Sequence, residues 1–71
     1  MKNGKHAVNT LTEREIQVLS LVANGFTSIK IGHKLKISSE TVKVHRRNML
    51  KKVKAHNTFD LMRLALKRKW I

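Results

Sequence analysis

No proline occurs anywhere in these 71 residues, and glycine stands only at positions 4, 25 and 32. Beyond residue 10 almost nothing forces the backbone out of a helix, because proline and glycine are the two residues that do so most strongly. The chain therefore reads as all-α. At this length it forms one domain and hides only about 60% of the surface its unfolded form exposes, so the core must be thin. With no cysteine there is neither a disulfide framework nor a thiolate metal site to reinforce it, and helix packing must carry the fold.

Caps and apolar stripes predict a four-helix, bundle-like domain with helices over about 12–24, 27–35, 39–53 and 58–69. The first begins at Leu11-Thr12-Glu13-Arg14-Glu15-Ile16, where Thr12 can cap the Glu15 amide, the Glu15 carboxylate can reach back, and Leu11 can pack on Ile16. Ile16, Val18, Leu19, Leu21, Val22 and Ala23 then give it a wide buried face, and Asn24-Gly25 supplies a left-handed end. The second opens at Thr27 or Ser28 and turns Ile31 and Leu35 inward with Ile29 beside them. Gly32 within it weakens a helix, which points to another helix crossing closely there. Lys36-Ile37-Ser38-Ser39 forms a tight turn plugged by Ile37, and Ser38 caps the third helix. Val42, Met49 and Val53 line the core side of that helix, with Leu50 at the margin. Asn57 or Thr58 caps the fourth, which carries two apolar stripes: Leu61, Leu64 and Ala65, and separately Phe59, Met62 and Leu66. Three other helices can hardly cover both, so the second stripe is expected to face a partner, most simply the same helix of a second copy. Residues 1–10, polar and cationic, read as an arm or linker remnant ahead of the domain at 11–71.

Sixteen lysines and arginines against four acids give a formal charge of +12, and so strong a positive field makes nucleic acid the default partner. Opposite the core stripe of the third helix lie Glu40, Lys43, Val44, Arg47, Lys51 and Lys54, all within about 100° of its circumference. Cations alone would describe the solvated face of any charged helix. Val44 changes that reading, because an aliphatic side chain there gains nothing from water but matches a thymine methyl in a major groove. Lys43 and Arg47 can donate to guanine O6 and N7, Arg with two parallel bonds. Lys51 and Lys54 suit phosphates, as do Thr27, Ser28, Lys30 and Lys34 on the preceding helix. Glu40 either accepts from a cytosine amino group or supports Lys43 and Val44 from the helix start. A short helix, a tight turn and a longer basic helix form the geometry that seats the last of these in a groove.

Leu11-Thr12-Glu13-Arg14-Glu15, Ala23-Asn24-Gly25, Ile37-Ser38 and Thr41-Val42-Lys43-Val44-His45 with Asn48, in that order and spacing, resemble the LuxR-type (NarL/FixJ, GerE-like) helix-turn-helix domain over residues 11–71. The resemblance implies the output domain of a bacterial response regulator, binding two half-sites as a dimer, often through its fourth helix. It implies base reading by Lys43, Val44 and Arg47, as in the nitrate-response branch, and a place for Thr41 and His45 near the DNA backbone. The expected partners are double-stranded DNA, a second copy of this chain, and RNA polymerase. Two departures stand out. Ser28-Ile29-Lys30-Ile31-Gly32 replaces the family's usual Asn-Lys-Glu-Ile-Ala, so Lys30 stands where a carboxylate would complete a cap with Thr27. Lys69-Trp70-Ile71 replaces Gly-Leu-Ile, which leaves the form of the last turn open.

Rival readings are weaker. His6, His33 and His45 lack a His, Cys or carboxylate at i+3 or i+4, and His56 has Asp60 alone, so no metal or other cofactor is expected, and no constellation supports catalysis. Apolar runs such as Leu21-Val22-Ala23 fall far short of the roughly 20 residues that span a bilayer, and no signal-peptide pattern opens the chain. A cytoplasmic protein, nucleoid-associated when bound, is expected. Sequence-independent nucleic-acid packaging is the alternative that charge alone would satisfy.

Overall fold

Thr12 and Glu15 close a reciprocal cap on the first helix: the Thr12 hydroxyl accepts from the Glu15 amide at 3.1 Å, and the Glu15 carboxylate accepts from the Thr12 amide at 2.8 Å. The computed structural model describes residues 11–71 and contains α1 (Glu13–Ala23), α2 (Ser28–Leu35), α3 (Ser39–Val53) and α4 (Thr58–Lys67). The arm expected over residues 1–10 lies outside the described residues. Among the described residues there is no strand, and the architecture is all-α. The remaining caps follow one chemical rule, with Thr27, Ser38 and Asn57 accepting from the amides of Lys30, Thr41 and Asp60.

All four helices end alike. A residue with positive φ follows each one, namely Gly25, Lys36, Lys54 and Lys69, and the next residue is an apolar side chain packed on the core: Phe26, Ile37, Ala55 or Trp70. The amides of those apolar residues return to the carbonyls of Leu21, Gly32, Leu50 and Ala65 at 2.9–3.0 Å, satisfying helix-end acceptors. A left-handed lysine costs about 1–2 kcal/mol relative to a right-handed one, offset in part by the attraction of its cation to the helix C-terminus. The last turn is thereby settled. α4 stops at Lys67 rather than Lys69, and Lys69 adopts the left-handed form at φ 61° where the family has glycine.

The buried core is Leu11, Val18, Leu19, Ile31, Val42, Met49, Val53, Leu61 and Ala65, and α3 packs against each of the other three helices. Ile16, Leu21, Val22, Leu35 and Leu64 pack against it partly buried, whereas two apolar residues expected beside them are exposed. Ala23 is exposed at the last residue of α1, and Ile29 is 63% exposed because it stands about 200° around α2 from buried Ile31. Gly32 is buried for a different reason from the one expected. What approaches it is the turn into α3: a Cβ at this position would stand 2.6 Å from the Ile37 carbonyl oxygen and 3.3 Å from the Ser39 amide nitrogen.

One charge enters the interior with its partner. Glu15, whose side chain is 7% exposed, accepts from Lys52 Nζ at 2.8 Å, joining α1 to α3. Burial alone would raise the Glu15 carboxyl, but the Lys52 ammonium and the amide and hydroxyl of Thr12 outweigh it and hold the group below the ordinary carboxylate value. A carboxyl depressed on folding stabilises the fold above its unfolded pKa, and that contribution disappears as pH falls through the folded value. Thermal unfolding should therefore show stability falling below about pH 4. Glu15→Gln should lose about 2 kcal/mol at neutral pH and show a shallower acid dependence. Matching pH profiles for the two proteins would remove the ion pair from the account.

Candidate nucleic-acid interface

Only Lys36-Ile37-Ser38 separates α2 from α3, in keeping with helix bounds of 27–35 and 39–53. Gly32 lets the backbone close against α2, Ile37 packs on the core, and Ser38 starts α3, so the angle between the two helices is set by contacts on both sides of the turn. The register of α3 follows the predicted one. Val42, Met49 and Val53 face inward, while Val44 is 41% exposed and flanked on its side of the helix by exposed Lys43, Arg47 and Lys51.

Glu40 is the sole acid on that face, and it pairs with Lys43 at 3.6 Å with both side chains largely in solvent. Such a pair is worth about 0.3–0.5 kcal/mol, so Lys43 is held loosely and can be drawn away by a stronger acceptor. Among the described residues, Arg47 and Lys51 form no ion pair. The other acids lie elsewhere: Glu13 and Glu15 on α1, and Asp60 at the start of α4, where Arg63 and the His56 amide hold its carboxyl below the ordinary value. The outcome is an outward face of α3 that is positive with an aliphatic centre.

Thr27 Oγ1 accepts from the Lys30 amide, its own O–H donates to no acceptor among the described residues, and Lys30 is exposed beside it. Ser38 and Thr41 share a hydroxyl–hydroxyl bond of 2.9 Å at the start of α3, and His45 is half-buried. Two expected contacts sit differently. Lys34 stands 5.4 Å from the centroid of the Phe26 ring and lines a groove with Ile16, Ser20 and Leu35, on the α1 side of α2 rather than beside α3. Lys54 lies beyond the end of α3 in the left-handed form, so its side chain leaves the helical projection that groups it with Lys51. On α4, Phe59 and Leu66 are 80% and 66% exposed, while Met62 is half-buried and packs against the core.

Sequence reasoning passed over two cations on α3. Lys52 partners Glu15, and Arg46 donates to Ser28 Oγ at 3.0 Å and to Thr58 Oγ1 at 3.3 Å. The sequence signal for Lys52 was a lone acid, Glu15, on the apolar face of α1; none marked Arg46.

A short helix, a tight turn and a longer helix with an outward basic face define this molecule as a helix-turn-helix domain. The model of the bacterial regulatory proteins of the luxR family matches residues 9–65. The chain is 48% identical over 59 residues to the transcriptional regulatory protein FixJ of Rhizobium meliloti, covering 83% of this chain and 29% of that protein. It is 41% identical over 59 residues to an uncharacterized response regulatory protein of Escherichia coli, YgeK, covering 83% of this chain and 40% of that protein. A nitrate/nitrite response regulator homolog of Haemophilus influenzae is 46% identical over 50 residues, 70% of this chain and 24% of that protein. The chain belongs to the luxR family of bacterial regulators and is a helix-turn-helix DNA-binding domain of that family, not an enzyme. It spans about a quarter to two-fifths of the length of these relatives. No helix among its described residues is long and apolar enough to cross a membrane.

Proposed function

We propose that the domain binds double-stranded DNA sequence-specifically, with α3 in the major groove and two copies on two half-sites. The observation that carries this reading is the exposed Val44 set between Lys43 and Arg47 on a helix whose opposite side buries Val42, Met49 and Val53. Lys43 and Arg47 donate to guanine acceptors and Val44 meets a thymine methyl. Thr27, Ser28, Lys30, Lys34, Thr41, His45, Lys51 and Lys54 serve the sugar-phosphate chain, a role that positions the helix without specifying sequence. Lys34 reaches it by leaving the Phe26 ring. Phe59 and Leu66, with Met62 at their inner edge, form the surface on which a second α4 packs. The domain acts in the cytoplasm as a transcription regulator, contacting RNA polymerase once bound.

Selection of bound duplexes from a random pool at several salt concentrations tests the reading. A two-fold symmetric consensus, retained against random DNA by a factor of at least about 10³, is the expected result. Recovery of no consensus would favour charge-driven packaging instead. Leu66→Glu places a carboxylate on an exposed position, so the fold survives. It should weaken binding to the selected duplex by about tenfold or more while a single half-site is bound as before. Equal losses on both duplexes would exclude pairing through α4.

A further inference from the structure

Arg46 is a cation on the inward side of α3, about 40° around the helix from fully buried Val42. Its two terminal nitrogens reach Ser28 and Thr58, the first residues of α2 and α4, and all three residues are half-buried. One side chain therefore ties the opening turns of two helices to the middle of a third. Attraction does not explain its place, since helix N-termini carry positive partial charge and, among the described residues, Arg46 forms no ion pair. Its planar fork does. Two nitrogens held in fixed directions can engage both hydroxyls at once, which the single ammonium of lysine cannot.

We propose that Arg46 is a positioning residue for DNA binding: its guanidinium sets the attitude of α2 and of α4 toward the reading helix. The inference rests on the reading above, in which α2 lies against the DNA backbone and α4 pairs with a second copy. The Ser28 bond then serves contact with each half-site, and the Thr58 bond, next to exposed Phe59, serves pairing.

Arg46→Lys keeps the charge and removes the fork. Measured on the duplex selected above and on the same duplex cut to one half-site, it should bind the full site about tenfold more weakly and the half-site about threefold more weakly. The slope of log K against log salt should not change, because no cation is lost. Ser28→Ala should weaken both duplexes in the same ratio, whereas Thr58→Val should weaken only the full site. With both hydroxyls removed, adding Arg46→Lys should cost less than about twofold more. Unaltered binding by Arg46→Lys, together with a salt slope reduced by about one in Arg46→Met, would show that charge alone matters and overturn the proposal. So would unaltered binding by both single-hydroxyl variants, each of which removes one oxygen from an otherwise intact fold. If the unsubstituted domain itself shows no preference for two half-sites, the roles given to the helices fail instead. The tie is then judged by thermal unfolding, where no coupling between Arg46 and the two hydroxyls would refute it.

Discussion

Arg47→Ala is expected to lower affinity for the selected duplex by roughly 10- to 100-fold and to flatten base preference at one guanine in each half-site. A bidentate arginine contributes about 1–3 kcal/mol of discrimination, which is about 5- to 150-fold in affinity. The side chain is exposed and forms no ion pair among the described residues, so its removal leaves the fold unchanged. Lys43→Ala should relax preference at a neighbouring position, and it leaves the Glu40 carboxylate without its cation on the face that meets the DNA. Val44→Ala should cut discrimination between thymine and cytosine by several-fold at one step, since the lost contact is a methyl group's burial. Lys51→Ala provides the contrast: weaker binding to every sequence alike, with the salt slope reduced by about one. Should all four variants weaken selected and random duplexes in the same ratio, base reading by this face is refuted and the domain is held by charge.

Gly32→Leu is expected to abolish the cooperative fold. Even a Cβ there would stand 2.6 Å from the Ile37 carbonyl oxygen, which is backbone and cannot rotate away, and a longer side chain must displace the whole turn. Overpacking of a core typically costs about 1–3 kcal/mol, and a clash with backbone in a thin domain of marginal stability exceeds that. Loss of more than about 15 °C in melting temperature, or no cooperative transition at all, is the result looked for. Gly32→Ala gains up to about 1 kcal/mol of helix propensity but must still push the turn outward. It should fold with a lowered melting temperature and bind DNA more weakly, because the displaced turn re-aims α3. A Leu variant melting within a few degrees of the unsubstituted protein would mean that the close approach is not what requires glycine.

The helix starts were legible because each rests on one residue's chemistry. A hydroxyl or carboxamide at Thr12, Thr27, Ser38 and Asn57 satisfies an amide three positions on, and that spacing is visible in the sequence. The register of α3 was equally legible, since Val42, Met49 and Val53 recur at the helical period and leave Val44 on the far side. Helix ends were harder. Gly25 announces a left-handed residue, whereas Lys36, Lys54 and Lys69 adopt the same form because the apolar residue after each is drawn onto the core. Apolar character alone does not bury Ile29, because its angle from Ile31 carries it to the opposite side of α2. Within the second stripe of α4, Met62 is half-buried against the core, leaving Phe59 and Leu66 as the exposed members.

By itself, the order of residues determined four capped helices, the sidedness of α3 and the excess of positive charge, because each depends on spacing along one helix or on a simple sum. Tertiary structure alone decided which cations are free to meet DNA. Lys43, Arg47 and Lys51 remain on the open face, Lys52 is taken by Glu15, and Arg46 is turned inward to hold Ser28 and Thr58. The reason is distance: a lysine or arginine carries the same charge wherever it stands, and its partner is fixed by which helix folds against it.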